Sequence, residues 1–148
     1  MNVEGYVPVY GTTENTVIRL LTPQVVKNPG KIYLYENYLL INEVNRGIHI
    51  YNNEDPAIPL PVGFAELTGN TDMAIRNGIL YADHMGSLVA LTTNDFTELA
   101  EVGRLPISKW LLGVPPPSQS YFECIDSSKG VVIGWKKQTL KDPDCYAL

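Results

Sequence analysis

Gly30-Lys-Ile-Tyr-Leu-Tyr-Glu-Asn-Tyr-Leu-Leu-Ile-Asn-Glu-Val-Asn-Arg-Gly-Ile-His-Ile-Tyr-Asn-Asn-Glu-Asp-Pro56 carries three short apolar runs, Ile32–Tyr35, Tyr38–Ile41 and Ile48–Tyr51, parted by Glu36-Asn37 and by Asn42–Gly47. Runs of about four to eight β-favouring residues bounded by Asn and Gly read as strands joined by tight turns. The pattern then recurs. A displacement of forty residues lays Lys31–Tyr35 on Thr71–Ile75, Asn37 on Asn77, Leu39-Leu40 on Ile79-Leu80, Ile48 on Leu88, Asp55 on Asp95 and Val62-Gly63 on Val102-Gly103.

Self-similarity at about forty residues, with several strands per copy, marks a β-propeller blade or a comparable array. The first copy predicts strands at Lys31–Tyr35, Tyr38–Glu43, Gly47–Asn52 and Leu60–Leu67; the second at Thr71–Arg76, Ile79–Asp83, Ser87–Thr92 and Glu98–Leu105. Asn77-Gly78 predicts a type I′ turn, whose two central residues both need positive φ. Glu36-Asn37 is a weaker version of it. Gly63 suggests a bulge or a close backbone contact. The expected side chains of the packed layer are Ile32, Leu34, Leu39, Ile41, Ile48 and Ile50.

Outside the repeats, Tyr6–Tyr10 reads as an edge strand, where Pro8 is tolerated. Thr12 or Thr13 is placed to cap a helical turn through Glu14–Val17, and Val17–Leu21 reads as a strand with Arg19 outward. After Leu105 the period fails. Leu111 would open a third copy, but Pro115-Pro116-Pro117 makes Val114–Ser120 a stiff extended loop. Tyr121–Cys124 and Val131–Trp135 predict a closing hairpin turned at Asp126–Gly130, with Lys136–Leu148 as a loop tied back by Cys145.

The expected fold class is therefore all-β: two four-stranded antiparallel propeller-like blades with N- and C-terminal flanking strands. It is a partial, open propeller, since closed ones have about four to eight blades. One domain over 1–148 divides into a cap segment (1–29), two blades (30–69 and 70–108) and a Pro-rich loop with the hairpin (109–148). The two flanks are expected to fold back over the blades, leaving apolar surface for self-association or further blades.

Composition narrows function by exclusion. A chain of 148 residues, 45% hydrophobic and 18% charged, is long and apolar enough for a packed core. Eleven basic residues spread along a chain of net charge −5 offer no concentrated positive patch, so no nucleic-acid partner is expected. No apolar run approaches the roughly twenty residues of a membrane span. No basic segment followed by an apolar run opens the chain, so no secretory signal is visible, although a chain trimmed of its signal would look the same. Cys124 and Cys145 lack metal-ligand spacing and are either one disulfide or two buried thiols.

At the third strand of each copy the sequence resembles the LVIVD-repeat proteins, a β-propeller-like family found mainly in exported bacterial proteins. Their repeat reads Gly-Leu-x-Val-hydrophobic-Asp, followed by a turn ending in Asp/Asn-Pro. The first copy offers Gly47-Ile48-His49-Ile50-Tyr51-Asn52 and Asp55-Pro56; the second offers Ser87-Leu88-Val89-Ala90-Leu91-Thr92 and Asp95-Phe96. Asn28–Tyr35 and Cys124–Trp135 are similar to flanking segments of Bacteroidetes-type members, so the resemblance covers roughly residues 24–145. It implies a surface or periplasmic lipoprotein of unknown activity, usually with several more blades. An exported chain in turn predicts the disulfide Cys124–Cys145.

Candidate sites are few. Asp83-His84 is the one adjacent acid–imidazole pair, but neighbours in a strand point to opposite faces, so it reads as a strand entering a turn. His49 is expected on a solvated face. Asn70, Thr71 and Asp72 lead into the first strand of the second blade, where polar groups at a channel mouth take ligands in such folds. They are the candidate ligand-binding residues. Ser127-Ser128-Lys129-Gly130 reads as a turn. Tyr33, Tyr35, Tyr38, Tyr51 and Tyr81 read either as a face for a protein or glycan ligand or as packing between strands. No phosphate loop, nucleophile elbow or metalloprotease motif is present, and no cofactor is expected. The reading that follows is a non-enzymatic binding or scaffold module. The alternative is an enzyme with Asp72 as its acid/base.

Overall fold

The computed structural model describes residues 1–12, 17–107 and 113–148. In chain order the strands are β1 (Asn2–Gly11), β2 (Arg19–Leu21), β3 (Pro29–Tyr35), β4 (Tyr38–Glu43), β5 (Gly47–Asn52), β6 (Leu60–Glu66), β7 (Met73–Arg76), β8 (Ile79–His84), β9 (Ser87–Thr92), β10 (Ala100–Pro106), β11 (Ser120–Phe122), β12 (Val131–Lys141) and β13 (Cys145–Ala147). They form three open sheets, ordered β2-β6-β5-β4-β3, β10-β9-β8-β7 and β12-β1-β11-β13. The fold is all-β, and no sheet closes on itself. The expected helical turn at 14–17 and the expected opening of a third copy at Leu111 lie outside the described residues, but for Val17.

The two repeats are two antiparallel meanders, β3–β6 (meander I) and β7–β10 (meander II), with β2 added to the outer edge of β6. Asn77 (φ 52) and Gly78 (φ 75) supply the double positive φ between β7 and β8. Glu36 (φ 50) opens the matching turn in meander I without a glycine beside it.

Ladder register shows how the copies correspond. Tyr35 pairs with Tyr38 and Arg76 with Ile79 across equivalent turns, so the first two strands are related by 41 residues, not forty. Glu43 pairs with Gly47 across three residues, but His84 pairs with Ser87 across only two, which brings the third and fourth strands back to forty. Both fourth strands bulge at the same place: Ile50 pairs with Gly63 and Tyr51 with Pro61, while Ala90 pairs with Gly103 and Leu91 with Glu101. A slip of one residue exchanges the faces of a strand. The uniform displacement of forty therefore mismatched the faces of β3 and β7.

This corrects the expected core. Ile32 and Leu34 are 64% and 67% exposed, and Leu39 and Ile41 are half-buried, whereas Ile48 and Ile50 are fully buried. The side of meander I bearing Ile32, Leu34, Leu39 and Ile41 (its front) faces away from meander II. The opposite side (its back) presents Tyr33, Tyr35, Tyr38, Leu40, Ile48, Ile50 and Ala65 to Met73, Ile75, Leu80, Ala82, Val89 and Leu91 of meander II, forming the main core. In the corrected register those six belong to the front of meander II. The meanders thus stack front to back. Tyr33 joins them directly: its hydroxyl accepts from the Ile75 N–H (3.2 Å) and donates to the Ile75 carbonyl (3.1 Å). Tyr38 stands edge-on to Phe96, at 4.7 Å between ring centroids.

The termini depart most from expectation. Most of their strands build the third sheet, and β2 of the N-terminal flank joins a meander. β1 is not an edge strand: β12 lies antiparallel on one side and β11 parallel on the other. Pro8 fits because its nitrogen faces the β11 side, and pairing with β11 has already ended at Tyr6↔Phe122. The expected hairpin of 121–124 with 131–135 does not form, because β1 lies between those strands. The loop expected at Lys136–Leu148 is largely strand: β12 runs on to Lys141, and β13 pairs with β11. The disulfide Cys124–Cys145 is present, with Cα atoms 5.4 Å apart. Trp135 stands edge-on to Phe122 and donates its indole N–H to the Val114 carbonyl (2.9 Å).

Candidate functional site

The candidate residues Asn70, Thr71 and Asp72 lie on the link from β6 to β7, where the turn after β4 and the turn after β8 also meet. The backbone fixes this rim: the Asn45 N–H donates to the Asn70 carbonyl (2.8 Å), the Gly69 N–H to the Asn45 carbonyl (2.8 Å) and the Met85 N–H to the Thr68 carbonyl (3.1 Å).

Asp83 is the centre of the cluster. Its carboxylate accepts from Asn70 Nδ2 (2.9 Å), the Thr71 N–H (2.8 Å), the Asp72 N–H (2.9 Å) and the Thr71 hydroxyl. Asn70 is fully buried. Its Oδ1 accepts from Asn42 Nδ2 (2.8 Å), and its Nδ2 also reaches the carbonyls of Asp72 and Asp83, both at 3.0 Å. Asn42 and Asp83 occupy the same position in the two meanders, 41 residues apart. Buried amides and carboxylates are held in place when each polar atom finds a partner. Here the partners are the backbone of the link, the Asp83 carbonyl and the side chains of Asn42, Asn70 and Asp83, and among the described residues the buried Asn42 Oδ1 alone in the cluster has none.

Asp72 stands at the edge of the cluster, with its side chain exposed. Its Oδ1 accepts from Lys31 Nζ (2.8 Å) and the Met73 N–H (2.8 Å). The Lys31 ammonium and that N–H hold the Asp72 carboxyl below the usual carboxylate range, so it is ionised at neutral pH and presents no proton to donate. Lys31, Thr71, Asp72, Ala74, Tyr81, Asp83 and Leu88 line an open hollow of about 420 Å³, running from this rim onto the back of meander II.

One residue expected on a solvated face is interior. His49 is 2% exposed, not solvated, and its Nε2 lies 2.7 Å from Glu43 Oε1. Glu43 also accepts from the N–H groups of Lys27 (2.9 Å) and Asn28, so the segment leading into β3 closes over this end of the front face. Burial alone would raise the Glu43 carboxyl. The Lys27 and Asn28 N–H groups and His49 outweigh it and hold the group down at about 2. His84 holds the position in meander II that Glu43 holds in meander I, and it too is buried, with Nδ1 3.0 Å from Arg104 Nη2. Arg104 also binds Glu101 (2.7 Å) and holds that carboxyl low. As neighbours in β8, Asp83 and His84 point to opposite faces and serve separate clusters.

The five tyrosines divide. Tyr33, Tyr35 and Tyr38 pack between the meanders, Tyr51 is half-buried, and Tyr81 is exposed on the back of meander II. Asp126 caps the turn Ser127–Lys129 by accepting from the Ser128 N–H (3.0 Å), so that segment is the turn its sequence indicates. Among the described residues, no three His, Cys, Asp or Glu side chains gather as metal ligands, and no helix is long and apolar enough to cross a membrane.

The sequence carried one signal of these clusters: Glu43 falls on Asp83 at a displacement of forty, so a carboxylate recurs near the end of the second strand. Each of the two binds the backbone leading into the first strand of its own copy. The burial of His49 had no such signal, because it depends on the segment before β3. No family model, curated protein or solved structure matches the chain.

Proposed function

We propose that this chain is a non-enzymatic binding or scaffold module of an exported, propeller-like protein of the LVIVD-repeat kind. One observation carries the reading: two meanders of matching register and matching bulge stack front to back, as consecutive blades of an array do. The ionisable clusters at the rim support a scaffold role, since Asp83, Asn70, Glu43 and Arg104 spend their hydrogen bonds inside the fold. Export is supported by the disulfide, which belongs to oxidising compartments. Of the three rim candidates, Thr71 and the Asp72–Lys31 pair border the open hollow and are the groups left to meet a protein or glycan ligand. Asp72 as acid/base is the weaker alternative, because its carboxyl is held ionised and is already paired.

A thermal-shift screen of glycans and peptides tests the reading, because a binder of the folded state raises its melting temperature. At least one class is expected to raise it, and Asp72→Ala is expected to reduce the rise. A parallel panel of chromogenic ester, phosphate and glycoside substrates is expected to show no turnover. Turnover that Asp72→Asn abolishes would overturn the proposal and establish the enzyme.

A further inference from the structure

The contact between the meanders is heterologous, the back of one against the front of the next, and among the described residues it leaves one face of each kind without a meander against it. The front of meander I carries Ile32, Leu34, Leu39, Ile41 and Tyr51. By ladder register these occupy the positions of Met73, Ile75, Leu80, Ala82 and Leu91, the residues through which meander II is buried. The back of meander II carries Ala74, Tyr81, Leu88, Ala90 and Leu105, at the positions of Tyr33, Leu40, Ile48, Ile50 and Ala65, which bury meander I. All ten positions are apolar or aromatic on both copies. Ile32 and Leu34 are more than three-fifths exposed, and Tyr81 and Leu105 are 40% and 60% exposed.

We infer that the front of meander I receives the back of meander II from a second copy of this chain, in a head-to-tail assembly that continues the stacking seen within one chain. The inference rests on the scaffold reading and names its partner. The hollow on the back of meander II is lined by Ala74, Tyr81, Asp83 and Leu88, and the equivalent residues of meander I, Tyr33, Leu40, Asn42 and Ile48, lie against meander II within the chain. Ile32 of the incoming copy, at the position of Met73, is the side chain placed to fill it. The segment that closes over Glu43 and His49 leaves the β3 side of the front face open. Four strands about 4.8 Å apart and about five residues long outline roughly 300 Å² on each partner. One such contact belongs with the weak, transient interfaces. A heterologous contact closes into a ring or propagates as a fibre according to its rotation, and closure gives every copy two contacts.

Sedimentation and light scattering of the parent, of the front variant Ile32→Lys/Leu34→Lys and of the back variant Tyr81→Lys/Leu105→Lys test the inference. The parent is expected to gain mass with concentration. Each variant is expected to stay monomeric, with association weakened at least about a hundredfold. Both variants alter exposed positions, and unchanged melting curves would show that they fold. An equimolar mixture of the two is expected to form a dimer and nothing larger, because one intact front meets one intact back and neither complex can extend. A parent that stays monomeric up to the order of 1 mM, association that survives either variant, or monomeric variants that fail to dimerise when mixed would each overturn it. A monomeric parent that still binds a glycan or peptide would leave the scaffold reading standing.

Discussion

Replacing Glu43 by Gln removes the charge of the most deeply buried carboxylate among the described residues, with almost no change of shape. The carboxylate accepts from the Lys27 and Asn28 N–H groups and faces His49 Nε2 at 2.7 Å, and both partners are nearly inaccessible to water. A Gln retains one acceptor oxygen for three donors and turns its own NH₂ toward one of them. Taking a charged acceptor away from buried donors costs about 1–3 kcal/mol or more, because those donors lose a partner. The pH dependence gives a separate magnitude. A carboxyl that titrates at 4.5 when unfolded and at about 2 in the fold contributes about 3 kcal/mol near neutrality. Because the folded value is the lower one, this contribution is complete above about pH 4.5 and is lost as pH falls through about 2, at no more than about 1.4 kcal/mol per pH unit. Urea titrations of the parent and Glu43→Gln at several pH values between 7 and 2 provide the assay. The gap between the two should be widest at neutral pH and should shrink by about 3 kcal/mol toward pH 2. A gap below about 1 kcal/mol at pH 7, or one that does not change with pH, would refute the reasoning.

Three further outcomes are expected. Ile50→Asp places an unpaired charge in the core between the meanders and should destabilise by more than about 4 kcal/mol, whereas Ile32→Asp in dilute, monomeric protein should stay within about 0.5 kcal/mol of the parent; denaturant midpoints decide both. Cys124 and Cys145 are 21 residues apart in sequence, so reducing their disulfide should lower stability by about 3 kcal/mol, and calorimetry with and without reductant would show it. Tyr33→Phe removes the hydroxyl that both donates to and accepts from Ile75 and should cost about 1–2 kcal/mol, with faster amide exchange at Ile75 as its local sign.

Strand positions were largely legible because they follow from local chemistry. Alternation and Asn/Gly turns placed β4, β5 and β9 at their observed bounds, and the repeat placed the rest of the meanders to within two residues. Faces were less legible. They depend on turn length as well as on pattern, and the three residues Val44–Arg46 against the two residues Met85–Gly86 shift the copies by one. Ile32 and Leu34 are as apolar as core residues, and nothing local says that the fold leaves them exposed. The third sheet was the least legible part. A parallel pairing such as β1 with β11 joins strands more than a hundred residues apart and leaves no turn to mark it. Of the rim residues, Asn70, Thr71 and Asp72 were visible as a polar group, but Asp83 as their common acceptor depends on how β8 passes the link.

The clusters at the rim explain why a repeat with so regular a frame shows no ring of like residues. Each meander must hold the link that leads to its first strand, and the backbone of that link exposes N–H groups that no ladder can use. In meander I a glutamate on the front face takes them, with His49 as its side-chain partner. In meander II an aspartate on the back face takes them, with Asn70 tying it to Asn42 of the other meander. The one-residue difference in the β4–β5 and β8–β9 turns goes with this exchange: Glu43 and Asp83 match in sequence but stand on opposite faces. A carboxylate on the back of meander II lies beside the hollow, where the next copy would stack, and the Thr71 hydroxyl and three N–H donors occupy it there. Its charge is met before any partner arrives, so the surrounding apolar surface can be covered without burying an uncompensated ion.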